Sequence, residues 1–228
     1  MTDWTSLINI IYQDEYLVVV DKPSGLLVHP FKEATNERDN LMALLRDKVG
    51  KWVYPVHRID RPVSGIVIFG FSGEVVSKIK EFWGDKTKTQ KEYIALARGQ
   101  ILEAGRYDFE LSNDKKVRQE AITNFRPLHQ FEDTTLVHVT IETGRKHQIR
   151  RHFSRRMQCL VGDTAYGKGI LNERYRQDYN LHRIFLHAWR LTLPHPITGE
   201  VISWTCPLRS ELQDVLTAKG LAEFPPIA

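Results

Sequence analysis

The sequence predicts an α+β fold built on a central mixed, mostly antiparallel sheet flanked by helices and loops. Two observations carry this reading. Strand-like segments outnumber helical ones, and many are separated by turns of hairpin length. The regular strand–helix alternation of a doubly wound parallel sheet is missing. The chain has 228 residues, which suits one domain or at most two small ones. The expectation is a single domain over residues 1–228.

The elements follow in order. Ile10–Tyr12 and Tyr16–Val20, joined by Gln13-Asp14-Glu15, read as a hairpin. Asp21-Lys22-Pro23-Ser24-Gly25 is turn chemistry, and Leu26–His29 resumes an extended run. Leu41, Leu44, Leu45 and Val49 recur at helical spacing, and Gly50 stops that helix. Polar groups, Pro and Gly crowd residues 56–65, and a buried-type strand follows at Ile66–Phe69. Ser72 caps a helix with Val75, Val76, Ile79, Phe82 and Trp83 on one face. Glu92–Ala97 is a strand, and Leu102–Gln119 is polar and loop-rich. Ile122–Phe131 and Thr135–Glu142 alternate apolar and polar residues, as half-buried strands do. A basic helix starts near Lys146. Late strands fall at Phe185–Leu193 and Val201–Thr205 around a Pro- and Gly-rich turn, and Ser210–Ala218 is helical.

Composition excludes several classes. With 42% hydrophobic and 26% charged residues the chain is ordinary globular material, with enough apolar surface to offset the entropy of ordering. No apolar run approaches the roughly 20 residues that span a bilayer. The first ten residues lack the basic-then-apolar pattern of a secretion signal. Cys159 and Cys206, the two cysteines, form neither a disulfide framework nor a zinc pair, which fits a reducing cytoplasm.

The net charge of +4 says little alone; its distribution says more. Residues 145–156 carry six Lys or Arg and no acid, and the next acid is Asp163. Ile149, Phe153 and Met157 are spaced to face a core, so the cations are expected on the remaining faces. Such a cluster is an electrostatic footprint for phosphates, against the plainer reading of a solvated helix face. The lysines at 78–91 are interleaved with acids and read as a solvated face. His147 and His152 stand five apart, off the spacing that puts two metal ligands on one helix face. Asp60 lies between Arg58 and Arg61 in the loop that feeds the Ile66 strand. Its cationic neighbours keep it ionised, fit for a nucleophile or a base, or for a salt bridge that only fixes the turn.

The surrounding motif, His57-Arg58-Ile59-Asp60-Arg61-Pro62-Val63-Ser64-Gly65, resembles the HRLDxxTSG signature of the RluA family of pseudouridine synthases. Other stretches match that family in the right order. They are Asp21–Pro30, Lys91-Glu92-Tyr93-Ile94-Ala95, and Thr143–Arg150 with Val161-Gly162-Asp163 and Tyr166-Gly167. Leu186-His187-Ala188 and His195–Glu200 match as well. Ile59 and Val63 are mild departures. Arg151, where most of the family has Val, and Arg61-Pro62 resemble a subgroup that modifies a tRNA stem uridine. The short stretch before Asp21 has no room for an S4-type RNA-binding domain.

The resemblance implies an isomerase that detaches uracil at N1, turns it and rejoins it through C5, with no cofactor and no metal. The implied partner is tRNA, with large-subunit ribosomal RNA as the alternative and a monomer as the expected state. Asp60 is the implied nucleophile, attacking base or sugar. Arg150 is its implied cationic partner, with Arg145 the rival or else a loop or RNA contact. Tyr93 stacks on the uracil and moves a proton. A stem uridine must leave its stack to be reached, and Arg58 fills the gap or holds the flipped nucleotide. His147 and Arg151 are further substrate-binding candidates. Leu160 is an apolar wall against the base or a core residue. A non-catalytic RNA binder remains the competing class, and a glycosidase fails for want of a second carboxylate.

Overall fold

The computed structural model describes residues 3–30, 40–167 and 169–224. Along the chain these form α1 (Trp4–Leu7), β1 (Asn9–Gln13), β2 (Leu17–Lys22), α2 (Leu41–Val49), β3 (Tyr54–Pro55), β4 (Ser64–Gly70), α3 (Gly73–Phe82), β5 (Gln90–Arg98), β6 (Gly105–Tyr107), β7 (Leu111–Ser112), β8 (Arg118–Gln119), β9 (Thr123–Gln130), β10 (Thr134–Ile141), α4 (Gln148–Arg155), α5 (Gly169–Tyr179), β11 (Leu186–Pro194), β12 (Val201–Thr205) and α6 (Ser210–Ala218). The fold is α+β, as the sequence predicts. Contacts divide it into two compact units, one of residues 1–90 and 188–207, the other of residues 91–187 and 208–228.

In the first unit β2 pairs antiparallel with β1 on one side and β4 on the other, and β12 pairs with β11. Every residue of β2 and β4 is buried, so both strands are covered on both faces. Leu17, Val19, Ile66 and Ile68 pack against Val75, Val76 and Ile79 of α3 and against Leu191, Leu193 and Trp204. Helix starts obey their caps. Asn40 Oδ1 accepts from the Ala43 N–H (3.0 Å) to open α2, and Ser72 Oγ accepts from the Val75 N–H (3.2 Å) to open α3. Gly50 ends α2 at φ 67°.

In the second unit β10 is central, antiparallel to β5 and β9, and β6 extends the sheet from β9. Helix α4 lays Phe153 against the rings of Tyr107 and Phe125, with centroids 5.3 and 5.4 Å apart. The Lys219 ammonium at the end of α6 meets Asp133 Oδ1 at 3.1 Å and lies within about 5 Å of the Phe131, Tyr175 and Tyr179 ring centres.

Two local expectations change, and one helix has no counterpart in the sequence reading. Leu26–His29 forms no strand; its backbone makes one isolated bridge, Leu27 to Asn40. Helix α4 begins at Gln148 and ends at Arg155, so Met157 leaves the helix at φ 61° and is 62% exposed. The buried stripe therefore stops at Phe153. Helix α5 had no clear sequence signal, because its buried face is Asn172 and Tyr175 rather than aliphatic residues.

Candidate active site

The site residues fall in both units, and each group is built locally. In the first unit Asp60 sits on a turn closed by the Val63 N–H donating to the Asp60 carbonyl (3.0 Å). Ile59 and Val63 are buried on either side of it, and Asp60 itself is half-buried. Two apolar pegs thus hold a polar turn between them. The Asp21–Gly25 turn grips the same loop from below. The Gly25 N–H donates to the Arg61 carbonyl and Arg61 Nε donates to the Gly25 carbonyl, both at 2.8 Å. Ser24 Oγ donates to the Pro62 carbonyl at 2.8 Å. Lys22, wholly buried, donates from Nζ to the carbonyls of Pro23 and Leu26 at 2.8 Å and of Arg61 at 3.2 Å. An ammonium can be buried when charge-assisted bonds replace its water. The two motifs are one device, in which the lysine turn fixes the aspartate loop.

Gly65 follows immediately. Its φ is 111°, and a Cβ there would lie 2.2 Å from the Ala188 carbonyl oxygen. The backbone approach of Ala188 requires glycine at this point. His57 stacks on Trp83 (4.7 Å) and its Nε2 accepts from the Ile68 N–H (3.3 Å), which makes it a loop anchor. Arg58 is exposed, with Nη1 3.5 Å from His29 Nε2.

In the second unit Tyr93 stands half-buried on β5, paired with Val139 of β10. Lys91, two residues earlier and on the same strand face, is buried, and that burial pulls its pKa below the usual lysine value. Arg150 is the buried cation of α4. Its Nε and Nη2 donate to Asp163 Oδ2 and Oδ1 at 2.8 and 2.9 Å, and the two residues are 5% and 1% exposed. Burial pushes the Asp163 pKa up, but the Arg150 bond and charge and the Tyr166 and Ala165 N–H groups outweigh it and hold it below the usual carboxylate value. The guanidinium also lies 5.1 Å from the Tyr166 ring centre. Asp163 and Tyr166 stand in a matched motif of the sequence, which assigns neither a task. Asp163 was legible as the first acid after the basic run.

The Thr143–Arg150 loop turns on Gln148. Its Oε1 accepts from Thr143 Oγ1 (2.7 Å) and the Arg145 N–H (3.0 Å); its Nε2 donates to the Ile122 carbonyl (2.9 Å) and Thr123 Oγ1 (3.0 Å). All four of its hydrogen-bonding positions are used. His147 precedes α4 at φ 54°, with Nδ1 2.9 Å from the Tyr166 hydroxyl. Arg145 Nε donates to the Glu120 carbonyl at 2.8 Å, and Arg151 Nη1 to the Ser112 carbonyl at 3.0 Å. Leu160 lies in the core, bridged to Ala97 of β5. Among the described residues no cluster of His, Cys, Asp and Glu could hold a metal ion.

The candidate cations thus divide. Arg150 is inward and paired with a carboxylate, while Arg145 and Arg151 are held by carbonyl oxygens, which fix a side chain without cancelling its charge.

Comparison with known proteins defines the class. The sequence pattern of the RNA pseudouridylate synthase family matches residues 16–155. The chain belongs to this family, whose members are isomerases that convert uridine to pseudouridine. It is 37% identical to the tRNA pseudouridine synthase C of Vibrio parahaemolyticus, over 92% of this chain and 94% of that protein. It is 38% identical to the tRNA pseudouridine synthase C of Pasteurella multocida, over 86% and 89%. The fold is also that of human RNA pseudouridylate synthase domain containing 4, with a TM-score of 0.78 at 23% identity, covering 96% of this chain and 95% of that one.

Proposed function

We propose that the chain acts as one catalytic domain that isomerises a specific stem uridine of tRNA to pseudouridine. The observation that carries the reading is the doubly gripped Asp60 loop, an ionisable carboxylate set on a rigid turn with its neighbours pinned by Lys22, Ser24 and Gly25. Asp60 is the nucleophile. Attack on C6 of the base or C1′ of the ribose breaks the N1–C1′ bond. The uracil turns, C5 bonds to C1′, the bond to Asp60 breaks with its electron pair returning to the carboxylate, and the C5 proton leaves to a base. Nothing is oxidised or reduced, and the reaction needs no added group. Tyr93 stacks on the freed uracil and takes part in that proton transfer. Arg150, itself oriented by Asp163, is the cation assigned to act with Asp60. Arg58 holds the flipped nucleotide or fills the gap it leaves. Arg145, His147 and Arg151 bind the RNA.

The tRNA reading rests on the names of the relatives and on Arg61-Pro62 and Arg150-Arg151. Carbodiimide mapping of unmodified whole tRNA and of ribosomal RNA after treatment with the protein tests it. New pseudouridine at one tRNA stem position is the expected result. Product confined to ribosomal RNA would keep the chemistry and remove the tRNA assignment.

A further inference from the structure

The second unit carries a small hairpin that the catalytic reading does not use. Strands β7 and β8 pair with each other in a two-stranded sheet of their own. Its turn is closed by its own hydrogen bonds. Asn113 Oδ1 accepts from the Lys115 and Val117 N–H groups (2.9 and 3.0 Å), and the Asn113 N–H donates to the Val117 carbonyl (2.9 Å). Lys116 is held at φ 61°.

The base of the hairpin is mounted on the basic segment. Arg151 donates to the Ser112 carbonyl (3.0 Å), Arg155 to the Glu110 carbonyl (3.2 Å), Arg145 to the Glu120 carbonyl (2.8 Å), and Lys146 pairs with Asp114 (2.7 Å). Leu111 is fully buried beneath it. The tip is different. Lys115, Lys116 and Val117 are exposed, and neither lysine has an ion pair among the described residues. A mobile lysine on a floppy loop is ordinary solvated surface. Two adjacent lysines with no ion pair among the described residues, on a pinned turn whose strands are bonded by Arg151 and Arg155, form a preorganised cationic face.

We infer that this hairpin is a rigid finger that binds phosphates of the RNA backbone, a contact separate from recognition of the target uridine. The inference rests on the proposed RNA substrate. The arginines of α4 serve it as a mount and add to its field; Lys115 and Lys116 make the phosphate contacts, and Asn113 keeps them in place.

The test is the salt dependence of binding to unmodified tRNA by the full chain. Each phosphate contact to duplex contributes a slope of about −0.9 in log K against log salt. The pair Lys115→Ala and Lys116→Ala is expected to flatten the slope by about 1.8, with roughly tens-fold weaker binding near 0.1 M salt and convergence with wild type at high salt. Asn113→Ala, which keeps both lysines, is expected to weaken binding by less. Lys78→Ala with Lys80→Ala on α3, where Lys78 pairs with Glu74, is expected to leave the slope unchanged. An unaltered slope in the Lys115 and Lys116 variant, with wild-type binding intact, overturns the finger alone. Absence of salt-sensitive tRNA binding by the wild type overturns the RNA reading and the finger together.

Discussion

Arg150 and Asp163 form a two-bonded ion pair with almost no solvent access, and such a pair is sensitive to the loss of either partner. Asp163→Asn leaves a buried guanidinium facing a neutral amide. The expected cost is about 3–5 kcal/mol of stability, read from urea unfolding at neutral pH. A cost within error of zero would mean that the pair is not buried in solution. The same carboxylate has a depressed pKa, so its stabilisation is complete above the unfolded value near 4 and fades as pH falls through the folded value. His152 adds a separate acid response at higher pH. It is wholly buried, its Nε2 donates to the Phe109 carbonyl (3.1 Å), and its Nδ1 has no hydrogen-bond partner. Burial lowers its pKa from 6.5 to about 4. A folded value below the unfolded one gives stability that is full above pH 6.5 and is lost as pH falls towards 4, worth roughly 3 kcal/mol. Unfolding free energies at pH 7 and pH 4.5 should therefore differ in wild type, and the difference should shrink in His152→Gln. An equal pH response in the two proteins would contradict the buried neutral imidazole.

At the scale of elements, the Asp60 loop is shaped by neighbours that lie far from it in sequence. Lys22 reaches the Arg61 carbonyl across 39 positions, and no local pattern announces that bond. Lys22→Met keeps the stem and removes three charge-assisted bonds. Pseudouridine formation should fall through kcat by at least tenfold, with RNA affinity close to wild type. A loss confined to affinity would show that Lys22 does not hold the loop. Gly65→Ala meets both a positive φ and the Ala188 carbonyl. It should destabilise the protein by more than about 2 kcal/mol in thermal or urea unfolding. Caps, turns and alternating strands were legible in the sequence because their signals are local: Ser72, Gly50 and the Val201–Thr205 run all behave as read. Helix α5 was not, because Asn172 is buried for its hydrogen bonds to the Gly162 N–H and the Asp163 carbonyl rather than for apolar area. The basic helix was legible in kind but not in orientation. A charge pattern does not tell that Arg150 turns inward to Asp163 while Arg145, Arg151 and Arg155 turn to carbonyls.

For the molecule as a whole, the candidate residues are divided between two compact units, Arg58 and Asp60 in one and Tyr93, Arg145, His147, Arg150, Arg151 and Leu160 in the other. Motif order along the chain named these residues, since each motif is a short string with its own turn chemistry. The supports around them, Lys22 under Asp60 and Asp163 behind Arg150, needed coordinates, because a buried charge is explained only by the partner that folding brings to it. No described helix is long and apolar enough to cross a membrane. The proposed role of Asp60 in isomerising a tRNA uridine is read by tritium release from unmodified tRNA labelled at C5 of uridine, since that hydrogen leaves only when C5 bonds to the ribose. Wild type should release one tritium per target uridine. Asp60→Asn, with tRNA binding and unfolding temperature unchanged, should release none. Release by Asp60→Asn at the wild-type rate, or no release by a wild type that binds tRNA tightly, would contradict it.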